Sequence, residues 1–164
     1  SVGGRFDPLT PVVGIMHVGV TKKIFDGSGL EDQSALFLDG RISYAPRDWI
    51  RVYWTIGNRL HETSVVSLNA ADGAVYERFT TSGGASLEFA DRWGLGGKIF
   101  YIGDDYSGPT NRADDLYGGR VSFHYRINTW ATAVLSYQYQ RNESSVEGEG
   151  FTENFVSGGI DVSF

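Results

Sequence analysis

The side chains with which this chain could do chemistry recur at every second position of several predicted strands. Most are basic, and alternate positions of a strand project to the same face of a sheet. If that face encloses a wide lumen, it would line an aqueous channel whose basic excess favours anionic solutes. In a narrow closed barrel the same groups would instead form a packed plug of ion pairs. We predict that the lumen-lining set is Asp39, Arg41, Arg51, Arg59, Arg78, Glu88, Lys98, Arg120, His124, Gln138 and Asp161.

Motifs for catalysis are weak in this sequence. His17, His61 and His124 lie on separate predicted strands, and no Gly-x-Ser-x-Gly motif places a nucleophile near them. The run from Gly94 to Lys98 (GLGGK) lacks the spacing of a phosphate-binding loop and the helix that follows one. We therefore predict no catalytic residue and no enzymatic activity. A lipid-modifying barrel enzyme that uses a Ser–His pair is the weaker alternative.

Composition argues against several kinds of cofactor and partner. The chain has no cysteine, which excludes disulfides and Cys-ligated zinc. Asp104, Asp105, Asp114 and Asp115 fall in a predicted loop, where they could bind a cation, but solvated loop charge is the favoured interpretation. The net charge of −6 argues against nucleic-acid binding. We expect no metal, no cofactor and no nucleic-acid partner.

Alternation of apolar and polar residues predicts eight strands and no helix. Strands are predicted at 12–22, 34–44, 49–61, 74–89, 93–102 and 116–126, and in the two arms of a hairpin at 129–164. Long polar connections at 23–33, 62–73, 103–115 and 142–150 alternate with short turns at 45–48, 90–92 and 127–128. Long connections at one end and short turns at the other are typical of outer-membrane barrels, whose strands span with about ten residues. No apolar run approaches the roughly 18 residues of a transmembrane helix.

Aromatic residues collect beside the short turns and at the chain end. Such residues sit well at the boundary between hydrocarbon and headgroups, so they indicate an interfacial girdle. The predicted members are Tyr44, Phe89, Trp93, Tyr125, Trp130 and Phe164.

These patterns predict an all-β fold: an antiparallel up-and-down transmembrane β-barrel with eight strands, short periplasmic turns and long extracellular loops. We expect one domain over residues 1–164, in the bacterial outer membrane. Residues 1–11 look like a strand tail and turn of a larger barrel. A soluble β-sandwich is the general alternative.

The last part of the chain resembles a known family. The hairpin carries a tyrosine-rich strand (Tyr137 to Gln140), then Arg141 with Ser144-Ser145, then Glu153-Asn154-Phe155-Val156, and it ends on Ser163-Phe164. These features resemble the putative β-barrel porin family found with bacterial exopolysaccharide synthesis and export genes. The terminal phenylalanine also resembles the signal that the outer-membrane insertion machinery recognises.

The resemblance implies a barrel wider than eight strands that gives exopolysaccharide or other solutes a passive route across the outer membrane. It implies outer-membrane lipids and the barrel-insertion machinery as partners, and for export also polysaccharide and periplasmic export proteins. It supplies no catalytic residue. A closed, plugged eight-stranded barrel with a structural or surface-interaction role is the main alternative.

Overall fold

A computed structural model describes residues 2–5, 12–24, 33–62, 75–107 and 112–163 of the chain. These residues form one antiparallel sheet of nine strands, in which each strand pairs with the next along the chain. The predicted eight strands are therefore confirmed, and a short strand precedes them. The strands are β1 (Val2–Arg5), β2 (Val12–Lys23), β3 (Gln33–Arg47), β4 (Ile50–Glu62), β5 (Val75–Phe89), β6 (Trp93–Ser107), β7 (Ala113–Arg126), β8 (Ala131–Ser144) and β9 (Phe151–Val162).

The first strand corresponds to the predicted strand tail at the start of the chain. β1 pairs with β2 from Val2 opposite Val18 to Arg5 opposite Ile15. The turn predicted at 7–11 lies outside the described residues, and the assignment of residues 1–11 to a larger barrel stays a prediction.

The connections alternate between two ends of the sheet. At the turn end they comprise residues 6–11, 48–49, 90–92 and 127–130, and at the loop end 24–32, 63–74, 108–112 and 145–150. The loop predicted at 103–115 is wrong, because β6 continues to Ser107 and β7 begins at Ala113. The aspartates there suggested a loop from sequence. In the sheet, two of them lie opposite each other, Asp104 and Asp114, and each is neutralised by an arginine.

The sheet has one apolar and one polar face, because directly opposed residues share a face. Many large side chains of the apolar face are exposed, for example Ile99 at 64% and Val156 at 75%. Among the described residues only Val75 and Ala131 are buried hydrophobic residues. A soluble sandwich would cover such a face with a second layer. In the described residues no second layer covers this face, and an uncovered apolar face is typical of a membrane β-barrel, whose strands contact lipid.

The described sheet is open rather than closed into a barrel. β9 is exposed along its whole length, and the described residues contain no pairing between β9 and either β1 or β2. The two edges can pair with each other or with further strands, as exposed edges tend to do. In the described parts of the chain, no helix is long and apolar enough to cross a membrane.

Candidate functional site

The pairing register places all eleven predicted lumen residues on the polar face. Arg41 lies opposite Thr55, for example, and Thr55 opposite Ser82, so the polar positions continue from strand to strand. The residues do not converge on one centre. They spread from the loop end, through a middle band, to the turn end. That this face lines a lumen stays a prediction.

Ion pairs dominate the polar face near the loop end. Arg78 on β5 donates two hydrogen bonds of 2.6 Å to the carboxylate of Asp104 on β6. Arg112 donates to Asp114 on β7 at 2.7 and 2.9 Å and contacts Glu149, in the β8–β9 connection, at 2.6 Å. Asp104 and Asp114 are only 9% and 8% exposed. The interpretation of these two aspartates as solvated loop charge is therefore wrong.

Stacked rings fill the space beside these ion pairs. His61 stacks on Tyr76 with ring centroids 5.3 Å apart, and Tyr76 stacks on Tyr106 at 5.0 Å. The guanidinium carbons of Arg78 and Arg112 lie 5.2 Å and 5.0 Å from the Tyr76 and Tyr106 ring centroids. We call these side chains the loop-end network: His61, Tyr76, Arg78, Asp104, Tyr106, Arg112 and Asp114.

Arg112 joins the network to two connections of the sheet. Its hydrogen bonds to Asp114 raise the pKa of the guanidinium further above its ordinary value, so the side chain stays charged. One oxygen of Asp114 is buried without a hydrogen-bond partner among the described residues. The attraction of Arg112 is therefore the main compensation for burying that carboxylate. Sequence inspection missed Arg112, since only its position in a predicted loop was visible.

A smaller ion pair links the first strands of the polar face. Arg59 on β4 contacts Asp39 on β3 at 3.2 Å, and His17 on β2 lies 3.8 Å from the same carboxylate. Arg59 also lies over the Phe37 ring, 5.4 Å from its centroid. The side chains of Arg59 and Asp39 are about half exposed, at 53% and 48%, so solvent screens this pair.

The middle band differs because its cations lack carboxylate partners. It comprises Arg41, Arg51, Lys98 and Arg120, and for none of the four do the described residues place a carboxylate within the 4.0 Å of an ion pair. Lys98 and Arg120 lie directly opposite each other on β6 and β7. All four residues are exposed on the polar face. The band is therefore a concentration of uncompensated positive charge.

Two aromatic rings lie among these cations. The Arg41 guanidinium is 5.6 Å from the centroid of the Tyr53 ring, and the Lys98 ammonium is 5.9 Å from that of Phe100. The Tyr53 ring reaches over Gly84, where an added Cβ would lie 2.6 Å from Cζ. Phe100 reaches over Gly118 in the same way, at 2.8 Å. Glycine is needed at both positions because a side chain would displace the ring.

The turn end of the polar face holds a Ser–His contact. Ser122 Oγ and His124 Nε2, two residues apart on β7, are 3.1 Å apart. His124 and Glu88 line a cavity of about 1100 Å³, and Asp161 lies farther along, opposite Thr132. Within the described part of the chain, no three His, Cys, Asp or Glu side chains are placed to hold a metal ion.

The apolar face carries the predicted aromatic girdle near the turn end. Phe89 lies opposite Trp93, and Trp93 opposite Tyr125, with the last two ring centroids 4.2 Å apart. Tyr44 lies in a different row of the apolar face, opposite Val12 and Val52, and Trp130 is exposed in the β7–β8 turn. Phe164 lies outside the described residues. The girdle's place at a membrane boundary stays a prediction.

Tyrosines form a second aromatic row on the apolar face, nearer the loop end. Tyr101 and Tyr117 donate hydrogen bonds to Asp115 and Glu143, at 2.5 and 2.9 Å. From Trp93 to Tyr101, tilted strands rise roughly 20 Å, close to the apolar height of membrane barrels. Sequence inspection missed this row, although the tyrosines share the parity of the apolar face. Their phenols point away from the apolar band toward carboxylates.

Comparison with protein families decides the class of this sheet. The family described as Putative beta-barrel porin 2 matches residues 1–164, which is the whole chain. The chain belongs to this family. No curated protein and no solved structure gives a significant match.

Membership in the porin family agrees with the geometry. A β-barrel porin needs strands long enough to cross a bilayer, an apolar outer face and a polar inner face. The described sheet has long strands, one apolar face and one polar face. The family also implies an outer-membrane location and a protein that is not an enzyme.

Proposed function

We propose that this porin-family protein gives exopolysaccharide or other solutes a passive route across the outer membrane. The observation that carries the proposal is the middle band of the polar face. In a plugged barrel we expect lumen cations to be paired with carboxylates, because unpaired buried charge is costly. Four exposed cations without such partners are instead suited to an aqueous lining.

The open edges of the sheet favour a wide barrel over a plugged one. An eight-stranded barrel has an interior that side chains fill, whereas porins with more strands leave an aqueous channel. The uncovered β9 edge is available for a further strand. A closed eight-stranded barrel with a structural or surface-interaction role is the alternative, and pairing of β9 with β1 or β2 would support it.

Electrical recording tests the route. The protein is refolded in detergent, inserted into planar lipid bilayers and recorded for stepwise conductance. We expect discrete conductance steps, and a reduction of current when polysaccharide enters the pore. A refolded, membrane-inserted protein that never conducts would contradict the proposal.

Cysteine cross-linking tests closure in the same preparation, since the chain has no native cysteine. Single cysteines are placed around Gly159 on β9 and around both Gly3 on β1 and Gly19 on β2, since β1 occupies part of the outer edge of β2. Disulfides form only when Cα atoms lie within about 7 Å. We expect no cross-link at any register. Efficient cross-linking would close the eight long strands on themselves and would favour the plugged barrel.

The Ser122–His124 contact supports a second candidate function, a lipid-modifying enzyme. A histidine within 3.1 Å of a serine hydroxyl is the first requirement of an activated nucleophile. Two features argue against it. Both side chains lie on the polar face, away from the apolar face where lipid would lie, and the described residues give His124 no carboxylate hydrogen-bond partner that would orient its ring.

A hydrolysis assay separates the two functions. The refolded protein is incubated with phospholipid in mixed micelles, beside Ser122→Ala and His124→Ala variants. We expect no hydrolysis above background for any of the three. Hydrolysis that both substitutions abolish would establish the enzyme instead.

A further inference from the structure

We propose that the middle band is an anion-selecting strip, and that the solutes of this protein are acidic saccharides carrying carboxylate or similar anionic groups. This inference rests on the proposed function and narrows it to one chemical class. It rests on three observations: the opposed positions of Lys98 and Arg120, the hydroxyl groups and aromatic rings beside the cations, and the lack of carboxylates paired with them among the described residues.

Like charges face each other at the centre of the strip. Lys98 and Arg120 are directly opposed in register on β6 and β7. Opposed like charges destabilise a sheet, and no carboxylate ion pair among the described residues relieves this pair. An anion between the two side chains would turn the repulsion into two favourable contacts. The arrangement is therefore suited to a ligand that carries negative charge.

Hydroxyl groups continue the strip beyond Arg120. Arg120 donates a hydrogen bond of 2.9 Å to the Ser136 hydroxyl, whose oxygen lies 2.7 Å from that of Ser157. The bond holds the guanidinium on the sheet while most of its donors stay available, since an arginine has five. Hydroxyls and spare N–H donors beside the cation are groups that can bind sugar hydroxyls.

Aromatic rings continue the strip in the other direction. Tyr53, Gly84, Lys98, Arg120 and Gln138 form one row of directly opposed residues from β4 to β8. The ring of Tyr53, and that of Phe100 in the next row, lie beside cations. An aromatic ring with a cation next to it offers an acidic sugar an apolar surface and a charge partner together.

The row from Tyr53 to Gln138 also runs partly along the expected barrel axis, which is the direction in which a polymer would pass. Barrel strands tilt by about 35–45°, so a row perpendicular to them climbs the wall. Four strand spacings of about 4.8 Å, from Tyr53 to Gln138, therefore rise by roughly 12 Å along the barrel axis. Successive groups of the row would meet successive units of one saccharide chain.

The loop-end network does not offer an equivalent site. Its arginines are already paired with Asp104, Asp114 and Glu149 at 2.6 to 2.9 Å. Its rings stack on one another, so the ring faces that meet are not available to a sugar. An anion would have to displace a buried carboxylate there. Selection by charge therefore belongs to the middle band.

The test combines ion selectivity with binding. Reversal potentials in a salt gradient across planar bilayers give the chloride-to-potassium permeability ratio of the protein and its variants. Binding is followed by tryptophan fluorescence of the detergent-refolded protein, with oligogalacturonate as the acidic probe and maltodextrin of similar length as the neutral one. The variant is Lys98→Gln with Arg120→Gln. Arg141→Gln is the control for loss of positive charge outside the strip, because Arg141 lies on the apolar face, opposite Tyr117. It removes one positive charge, whereas the double variant removes two.

We expect the unmodified protein to prefer chloride and to bind the acidic probe more tightly than the neutral one. The double variant should lose the chloride preference and bind the acidic probe about tenfold or more weakly, the loss for one or two charge-assisted hydrogen bonds. The control should keep both properties. Equal binding of the two probes, or an unaffected double variant, would overturn the inference.

The two proposals fail in different ways. Preferential binding of oligogalacturonate without any conductance would support the anion-selecting strip and would contradict the passive route. Conductance with no anion preference and no preferential binding would support the passive route and would contradict the anion-selecting strip. Circular dichroism of each variant confirms that the β-sheet has formed before either result is used.

Discussion

The loop-end network and the middle band lie on the same face of the same sheet, yet among the described residues the charges are paired in the network and unpaired in the band. In the network, Arg78 and Arg112 are paired with the buried residues Asp104 and Asp114. In the band, Lys98 and Arg120 are exposed and oppose each other. Buried charged side chains that form ion pairs belong to the folded structure, whereas exposed charged side chains without ion pairs are available to bind a ligand. The comparison separates side chains that build the sheet from those that would act on a solute.

The largest predicted effect is on the network. Arg78→Ala leaves the buried Asp104 carboxylate without its two hydrogen bonds, and the free energy of unfolding should fall by about 2–4 kcal/mol. The measurement is urea unfolding in phospholipid vesicles, followed by tryptophan fluorescence. Arg51→Ala in the middle band is the control, and its stability should stay within about 0.5 kcal/mol of the parent. Equal losses for both variants would erase the distinction between the two regions.

Glycine positions test the ring packing of the middle band. Gly118→Ala should lower the free energy of unfolding by about 1–3 kcal/mol, because the new Cβ would clash with the Tyr139 carbonyl oxygen and lie 2.8 Å from Phe100 Cζ. Gly97→Ala is the matched control, since nothing lies within 4 Å of its added Cβ. It should be neutral or slightly stabilising, by up to about 1 kcal/mol. Comparable losses at the two glycines would contradict the placement of the Phe100 ring.

Substitution of Arg112 should have an intermediate effect on the free energy of unfolding. Arg112→Gln loses the charged contacts to Asp114 and Glu149, so the free energy of unfolding should fall by about 1–2 kcal/mol. Glu149→Gln keeps the Asp114 pair and serves as the comparison, with a loss below about 1 kcal/mol. If Glu149→Gln were the more damaging substitution, Arg112 would belong to the β8–β9 connection rather than to the network.

The smallest effect has the opposite sign. Lys98→Gln should raise the free energy of unfolding by about 0.3–0.5 kcal/mol at low salt, because it removes repulsion between directly opposed cations. The gain should fade as added salt screens that repulsion. Unfolding curves at two ionic strengths check this. A stability loss on Lys98→Gln would mean that the side chain is structurally engaged after all.

The alternation of residues was enough to predict most of the fold. Along β8, Leu135, Tyr137 and Tyr139 alternate with Ser136, Gln138 and Gln140. A period of two has only one structural meaning, a strand with two unlike faces. The same parity placed the eleven predicted side chains on the polar face. Parity is local, so it needs no knowledge of neighbouring strands.

The strand ends and the charge partners could not be predicted in this way. Asp104 and Asp114 looked like loop residues, because a carboxylate is a poor strand former unless a cation neutralises it. The cations that do so are 26 residues away on β5 for Asp104 and two residues away for Asp114. The Ser122–His124 contact was missed for a related reason, since its residues lie on one strand but in no catalytic motif.

The sequence by itself determined that the chain forms long amphipathic strands in a meander, each with one apolar and one polar face. It could do so because side-chain direction in a strand depends only on position along the chain. The tertiary structure decided which charges meet. Register sets that outcome, and a shift of one residue would change every partner across the sheet. Only the strand pairing shows that the loop-end arginines form ion pairs with carboxylates and that Lys98 lies opposite Arg120.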